Sequence, residues 1–99
     1  MLSIITKSIN GSYDVKLIGE VDIYTVDNLK KSVNELMDKE IKNILFDFIE
    51  LEYIDSTGLG ALIGIRGKYK DIEIEIVNLK SNVKRLFDIT GLTKIFLVK

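Results

Sequence analysis

The chain has 99 residues, of which 46% are hydrophobic and 29% are charged, and its net charge is −1. These values fit one small globular domain and argue against a nucleic-acid partner, because neutralising phosphates requires a concentrated excess of Lys and Arg. The sequence contains no Cys and no His, which excludes disulfides, thiol catalysis, thiolate zinc sites and Ser-His catalysis.

The first half of the chain has the pattern of a hairpin, a helix and a strand. Residues 2–9 and 13–19 are short β-branched and apolar runs, and Asn10-Gly11-Ser12 between them predicts a hairpin turn. Residues 25–40 carry apolar side chains at helical spacing, which predicts a helix with one buried stripe. Residues 43–49 are almost continuously apolar, so we expect a central strand covered on both faces.

The second half alternates helices with strands. Residues 57–69 form a glycine-rich helix candidate. Residues 72–77 alternate between apolar residues and Glu, which predicts a strand with one face exposed to solvent. Ser81 is a suitable N-cap for a short helix that Gly91 would end, and residues 95–98 would form the last strand.

This order of elements predicts the fold class. After an opening hairpin, alternating helices and strands imply one mixed, mostly parallel β-sheet of four to five strands with helices packed against it. We therefore expect a single α/β domain over residues 1–99. No apolar run approaches the roughly 18 residues of a membrane span, and the N-terminus lacks the order of a signal peptide. A cytoplasmic protein without a membrane partner is expected.

The strongest functional signal lies in residues 53–64, whose sequence is YIDSTGLGALIG. Asp55, Ser56 and Thr57 are each competent helix N-caps, and they stand where a strand ends and a helix begins. Glycines at four positions then interrupt the helix, and each interior glycine costs about 1 kcal/mol relative to alanine. These glycines are Gly58, Gly60, Gly64 and Gly67.

Three of these glycines, at positions 60, 64 and 67, follow the spacing of one helix face. A face without side chains allows another surface to approach closely. That surface is either the protein's own sheet or a binding partner, and the sequence leaves both readings open.

The segment IDSTGLG at residues 54–60 resembles the signature of the anti-sigma factor antagonists, which are single-domain STAS proteins. Two companion motifs stand at compatible distances: Gly19-Glu20-Val21-Asp22, and RLFDITGL at residues 85–92. The three motifs together are highly specific, and the similarity extends over essentially the whole chain. The chain departs from the family pattern in stopping soon after the last predicted strand, where family members usually continue into another helix.

The resemblance implies a switch protein without a cofactor and without enzymatic activity. In this family the anti-sigma factor is itself a serine kinase, and it phosphorylates the serine that corresponds to Ser56. The unphosphorylated antagonist binds the anti-sigma factor and releases the sigma factor, in sporulation or in the stress response. A metal-dependent phosphatase of the protein phosphatase 2C type restores the binding form.

By the same resemblance Asp55 supports phosphorylation or partner contact, and the Glu20–Asp22 loop lies near the same surface. The implied partner-binding residues are Glu20, Asp22, Asp55, Ser56, Thr57, Gly58, Leu59 and Gly60. Simpler roles stand beside these assignments. Ser56 could be only a helix cap, Thr57 is a competing phosphoacceptor, Asp22 could cap the first long helix, and Glu20 could be a solvated charge.

Two other functions compete with the switch. Small STAS domains also serve as subunits of lipid-transporting ABC complexes, whose chains are similarly short at the C-terminus. A hydrolase that uses the carboxylates of Asp55 and Glu52 is a third hypothesis, although the sequence has no His or Cys to assist it.

Overall fold

A computed structural model describes residues 1–37 and 40–99 of the chain. Its elements are β1 (Leu2–Ile9), β2 (Ser12–Val21), α1 (Val26–Met37), β3 (Asn43–Ile54), α2 (Ser56–Lys68), β4 (Glu73–Val77), α3 (Ser81–Thr90), a 3₁₀ turn (Leu92–Lys94) and β5 (Leu97–Val98). The strands in these two ranges form one sheet in the order β1-β2-β3-β4-β5; β1 and β2 pair antiparallel, and the other neighbours pair parallel. The predicted mixed sheet with packed helices is therefore confirmed.

The opening hairpin turns where the sequence predicts it. Ile9 pairs with Ser12, and the two residues between them, Asn10 and Gly11, have φ values of 52° and 84°. Two successive residues with positive φ make a turn whose twist matches that of the flanking strands. This turn fixes the register of β1 on β2 and therefore the side chains that each strand buries.

The core lies between one face of the sheet and the three helices. Strand β3 contributes Ile44, Phe46 and Phe48, which are fully buried, and the ring of Phe48 meets that of Phe87 on α3 edge to face at 6.1 Å. Each helix follows a strand and leads to the next strand in the sheet. Because such crossovers are right-handed, successive steps in one direction place all three helices on the same face.

The opposite face of the sheet corrects the expectation that the central strand is covered on both sides. Leu45 and Asp47 of β3 are only half-buried there, and Ile49 is 49% exposed. Across this face Lys16 Nζ lies 2.6 Å from Glu50 Oε2, and this hydrogen bond raises the pKa of Lys16 above its ordinary value. The three helices share the other face, so this one remains accessible.

Smaller corrections concern element ends. The N-cap of α3 is Lys80 and not Ser81, which is the first residue of the helix, whereas Gly91 ends the helix in the left-handed conformation at φ 78°. The last strand begins at Leu97 and not at residue 95, because the N–H groups of Ile95 and Phe96 both donate to Leu92 O and continue the 3₁₀ turn that precedes the strand. The predicted C-terminal end of the first helix, residues 38–40, lies partly outside the described residues.

The parallel strands bring two element junctions to one edge of the sheet. Val21, the last residue of β2, pairs with Ile54, the last residue of β3, and the backbone N–H of Asp55 donates to Val21 O at 3.2 Å. The connections to α1 and α2 therefore start side by side. Within the described ranges, no helix combines the length and the hydropathy that a membrane crossing requires.

Candidate functional site

The start of helix α2 is organised by Asp55. This residue has an extended backbone, with φ −104° and ψ −175°, and its Oδ1 accepts a hydrogen bond from the backbone N–H of Gly58 at 3.1 Å. A carboxylate in this position satisfies one of the free N–H groups of the first turn and interacts favourably with the helix dipole. Of the three candidate caps in the sequence, Asp55 is the one that caps the helix.

Ser56 is the first residue of α2, and its side chain points into solvent. The residue is exposed, and its hydroxyl makes no hydrogen bond to any residue in the described part of the chain. Thr57, the next residue, is also exposed. The reading of Ser56 as only a helix cap is therefore wrong, because Asp55 has that role and leaves the serine hydroxyl free.

Gly58 sets how closely α2 approaches the sheet. A Cβ at this position would lie 2.6 Å from Ile54 Cγ1 and 2.7 Å from Val21 Cγ1, both on stiff β-branched side chains. Gly58 is buried, and the following residue, Leu59, is 5% exposed. These two predicted partner-binding residues therefore support the site from inside the core and do not line its surface.

The other three helical glycines face outward. A Cβ at Gly60, Gly64 or Gly67 would meet no atom within 4 Å, and all three residues are exposed. The reading that they pack against the protein's own sheet is wrong for these positions, and it is right for Gly58 alone. Helix α2 thus presents an outer stripe without side chains, which begins at Gly60, one turn after Ser56.

The β2–α1 loop forms the other side of the site, and a network of short hydrogen bonds holds it. Asp22 Oδ1 accepts from the backbone N–H groups of Tyr24 at 2.9 Å and Thr25 at 3.1 Å. Thr25 Oγ1 accepts from the N–H of Asp22 at 3.0 Å and donates to Glu20 O at 2.8 Å. Asp22 therefore closes the turn before α1, and the reading of Asp22 as the N-cap of this helix is wrong, because α1 begins four residues later at Val26.

Glu20 belongs to β2 and not to the loop that the sequence suggested. Its carboxylate pairs with the terminal amino group of Met1 at 3.2 Å, and its side chain is 51% exposed. An ion pair this exposed contributes little to stability. The structure thus places the Glu20–Asp22 segment beside the start of α2 at one edge of the sheet, as the resemblance implied. The residues brought together there are Glu20, Asp22, Asp55, Ser56, Thr57 and Gly60.

The two carboxylates of the hydrolase hypothesis have other partners. Asp55 caps α2, and Glu52 accepts a hydrogen bond from Lys80 Nζ at 2.5 Å with its side chain 65% exposed. Neither group is held in a desolvated pocket, which is what usually tunes a catalytic carboxylate. The arrangement presents a free hydroxyl on a helix end and has the character of a surface for modification or binding.

A shallow groove of about 350 Å³ separates α1 from α2 beside this edge. Its lining combines the outer face of α2 with side chains of α1, and its residues are Lys30, Asn34, Thr57, Gly60, Ala61, Gly64, Ile65, Lys68 and Tyr69. The Tyr69 hydroxyl donates to Asn34 Oδ1 at 2.8 Å and so ties the two helices together at the far end of the groove. The groove widens the accessible surface next to Thr57.

Sequence reasoning missed two residues at this edge, Ile23 and Tyr24. They are 67% and 90% exposed, although both have large apolar side chains. A signal was present, because these residues fall between the strand pattern of β2 and the helical spacing of α1 and belong to neither buried stripe.

Known proteins resemble this chain over nearly its full length. An anti-sigma-B factor antagonist of Staphylococcus aureus is 34% identical over 93 residues, which cover 92% of this chain and 86% of the relative. The crystal structure of an anti-sigma factor antagonist from Mycobacterium paratuberculosis superposes with a TM-score of 0.91 at 22% identity, covering 99% of this chain and 85% of that one.

The anti-sigma factor antagonist SpoIIAA is a further structural relative, with one structure of its unphosphorylated form and one of the phosphorylated form from Bacillus. The unphosphorylated form matches with a TM-score of 0.82 at 18% identity, covering 98% of this chain and 88% of that one. The phosphorylated form matches with a TM-score of 0.73, covering 98% of this chain and 91% of that one. The sequence profile of the STAS domain matches residues 3–99, and the chain therefore belongs to the STAS domain family.

Proposed function

We propose that this protein is an anti-sigma factor antagonist whose binding is controlled by phosphorylation of Ser56. The unmodified protein binds an anti-sigma factor that is also a serine kinase, and this binding releases the sigma factor. Phosphate on Ser56 blocks the binding, and a phosphatase of the protein phosphatase 2C type removes it. The curated relative from Staphylococcus aureus, which is named an anti-sigma-B factor antagonist, supports this assignment.

One observation carries the choice of Ser56. The carboxylate of Asp55 caps α2, so the adjacent hydroxyl is exposed and makes no hydrogen bond within residues 1–37 and 40–99. A kinase can reach such a group without unfolding the helix. Thr57 is exposed as well, but it lies one residue further into the helix and beside the groove between α1 and α2.

The physics of a helix N-terminus fits a phosphate at this position. A phosphoserine adds a charge of about −1.5 to −2 and three acceptor oxygens. Free N–H groups and the helix dipole favour an anion at the first turn. Phosphorylation should therefore leave the domain folded and act on its surface.

The partner would experience the change directly. A surface that fits the bare Ser56 hydroxyl and the Asp55 carboxylate meets added bulk and a second negative charge after phosphorylation. Like-charge contacts across an interface cost several kcal/mol. A penalty of about 3 kcal/mol weakens affinity more than a hundredfold, which is sufficient for a switch.

Intact-mass spectrometry tests the phosphorylation. The protein is incubated with ATP and its candidate anti-sigma kinase, beside the variants Ser56→Ala and Thr57→Ala. One added phosphate on the wild type and on Thr57→Ala, with none on Ser56→Ala, is the expected result.

Phosphate on Ser56→Ala but not on Thr57→Ala would move the modification to Thr57. If the wild type takes up no phosphate from a kinase that is active on another substrate, the switch is wrong for this protein. The role of a STAS subunit in a lipid-transporting ABC complex would then be the better assignment.

A further inference from the structure

Two large apolar side chains stand in solvent on the loop between β2 and α1. Tyr24 is 90% exposed and Ile23 is 67% exposed, and they are consecutive in the sequence. Single exposed apolar residues are common on protein surfaces, but a pair on the four-residue connection between β2 and α1 concentrates the exposed apolar area at one point. Folding of the domain does not account for this pair, since neither side chain joins the core.

The loop holds these side chains in a defined position. Its backbone is fixed by the Asp22 carboxylate, which accepts from two N–H groups, and by the Thr25 hydroxyl, which bridges Asp22 and Glu20. Thr25 is 7% exposed, so the base of the loop is anchored in the protein interior. A partner that binds here would have little backbone entropy to remove, which favours affinity.

The pair lies on the same edge as Ser56. Val21 pairs with Ile54, so the loop after β2 and the start of α2 leave the sheet from neighbouring strands, about 5 Å apart. The hydrogen bond from Asp55 N–H to Val21 O joins the two connections directly. A partner that covers the Ser56 hydroxyl therefore also meets the loop that carries Tyr24.

We propose that Ile23 and Tyr24 are the apolar anchor by which the serine kinase anti-sigma factor docks on this protein. The inference rests on the proposed function and extends it by naming the residues that supply affinity. Tyr is enriched among residues that dominate binding energy, and such residues sit in desolvated pockets. The partner accordingly carries an apolar pocket opposite this loop.

The apolar anchor also increases the effect that phosphorylation of Ser56 has on binding. An apolar contact beside Ser56 excludes water from the surroundings of the hydroxyl. A phosphate dianion at the same place would lose hydration without gaining a cation, and burying an unpaired charge is strongly unfavourable. The modification thus acts through desolvation in addition to bulk and repulsion.

Calorimetric titration with the anti-sigma kinase tests the anchor on four unphosphorylated proteins: wild type, Tyr24→Ala, Tyr24→Phe and Ile9→Ala. Ile9 is a matched control because it is also 67% exposed, and it pairs with Ser12 at the opposite end of β2. Thermal unfolding of each variant verifies the fold. Tyr24→Ala should weaken binding at least thirtyfold, whereas Tyr24→Phe and Ile9→Ala should stay within about threefold of the wild type.

The kinase reaction gives a second readout. With Tyr24→Ala the KM for phosphorylation of Ser56 should rise by a similar factor while kcat stays unchanged, because docking and not chemistry is affected. Wild-type binding with Tyr24→Ala equal to Ile9→Ala would overturn the anchor and leave the proposed function intact. Absence of both binding and phosphorylation in the wild type would overturn the proposed function and the anchor together. Self-association of the protein that Tyr24→Ala abolishes would assign the loop to a second copy and overturn the inference.

Discussion

The carboxylate of Asp55 caps helix α2, and this role does not depend on its negative charge. Its Oδ1 accepts the N–H of Gly58, while its Oδ2 makes no hydrogen bond within the described residues. A neutral amide at the same position can accept the same hydrogen bond, because Asn and Asp are comparable N-caps. The cap and the charge beside Ser56 can therefore be tested apart.

Asp55→Ala should lower the free energy of unfolding by about 1 kcal/mol, because α2 loses its cap. Asp55→Asn should keep most of that stability and should remove only the charge next to Ser56. Urea denaturation of both variants measures the difference. Equal destabilisation by the two substitutions would show that the cap does not act as the geometry indicates.

Replacing Gly58 or Gly60 with alanine should change the stability of the domain in opposite directions. Gly58→Ala should destabilise the domain by about 1–3 kcal/mol, because the new Cβ meets Ile54 and Val21 at 2.6 Å and 2.7 Å. Gly60→Ala should stabilise it by up to about 1 kcal/mol, since the added methyl meets no atom within 4 Å and alanine favours the helix. Thermal and urea unfolding give both values. Destabilisation by Gly60→Ala would mean that its outer face packs against part of the protein.

The β2–α1 loop is an element whose shape depends on one buried hydroxyl. Thr25→Val removes the donor to Glu20 O and the acceptor for the N–H of Asp22, and leaves these backbone groups without their partner. An unsatisfied buried polar group costs about 1–3 kcal/mol, whereas Thr25→Ser retains the hydroxyl and should cost less.

Amide hydrogen exchange and urea denaturation measure the effect of Thr25→Val. The Asp22 amide should exchange faster in this variant than in Thr25→Ser, because its acceptor is gone. Similar exchange rates and similar stabilities in the two variants would contradict the role assigned to the hydroxyl.

The regular elements could be predicted because their signals are local. Asn10 and Gly11 can both adopt positive φ, which indicates a hairpin turn. The apolar spacing of α1 is typical of a helix, and the alternation in β4 is typical of a strand. The strand β3 was predicted too short and too deeply buried. An apolar run does not reveal on which side of a sheet the later helices will pack, and that depends on the direction of the crossovers.

The site could be predicted only as a set of neighbouring motifs. The junction of β3 and α2 was visible in the residue types, but three adjacent residues could each have been the cap, and local geometry selects Asp55. The same limit applied to the glycines, because helical spacing gives a common face without showing which way it points. The orientation of α2 on Val21 and Ile54 buries Gly58 and turns Gly60 outward.

In the whole molecule, the residues that form the core and the residues proposed for binding lie in different places. Its core occupies one face of the sheet, and the proposed switch residues gather at the carboxyl ends of β2 and β3 without entering that core, apart from Gly58 and Leu59. Phosphate added to Ser56 would lie outside the core and at a helix end that tolerates an anion. The unfolding temperature should therefore change little on phosphorylation, while the surface offered to a partner changes strongly.

The central claim is that phosphate on Ser56 controls binding, and isothermal titration with the anti-sigma factor measures it most directly. The protein is prepared unmodified and stoichiometrically phosphorylated on Ser56, and both forms are titrated at the same salt concentration. Our account predicts at least a hundredfold weaker binding by the phosphorylated form, with both forms equally folded. Equal affinities of the two folded forms would contradict the account.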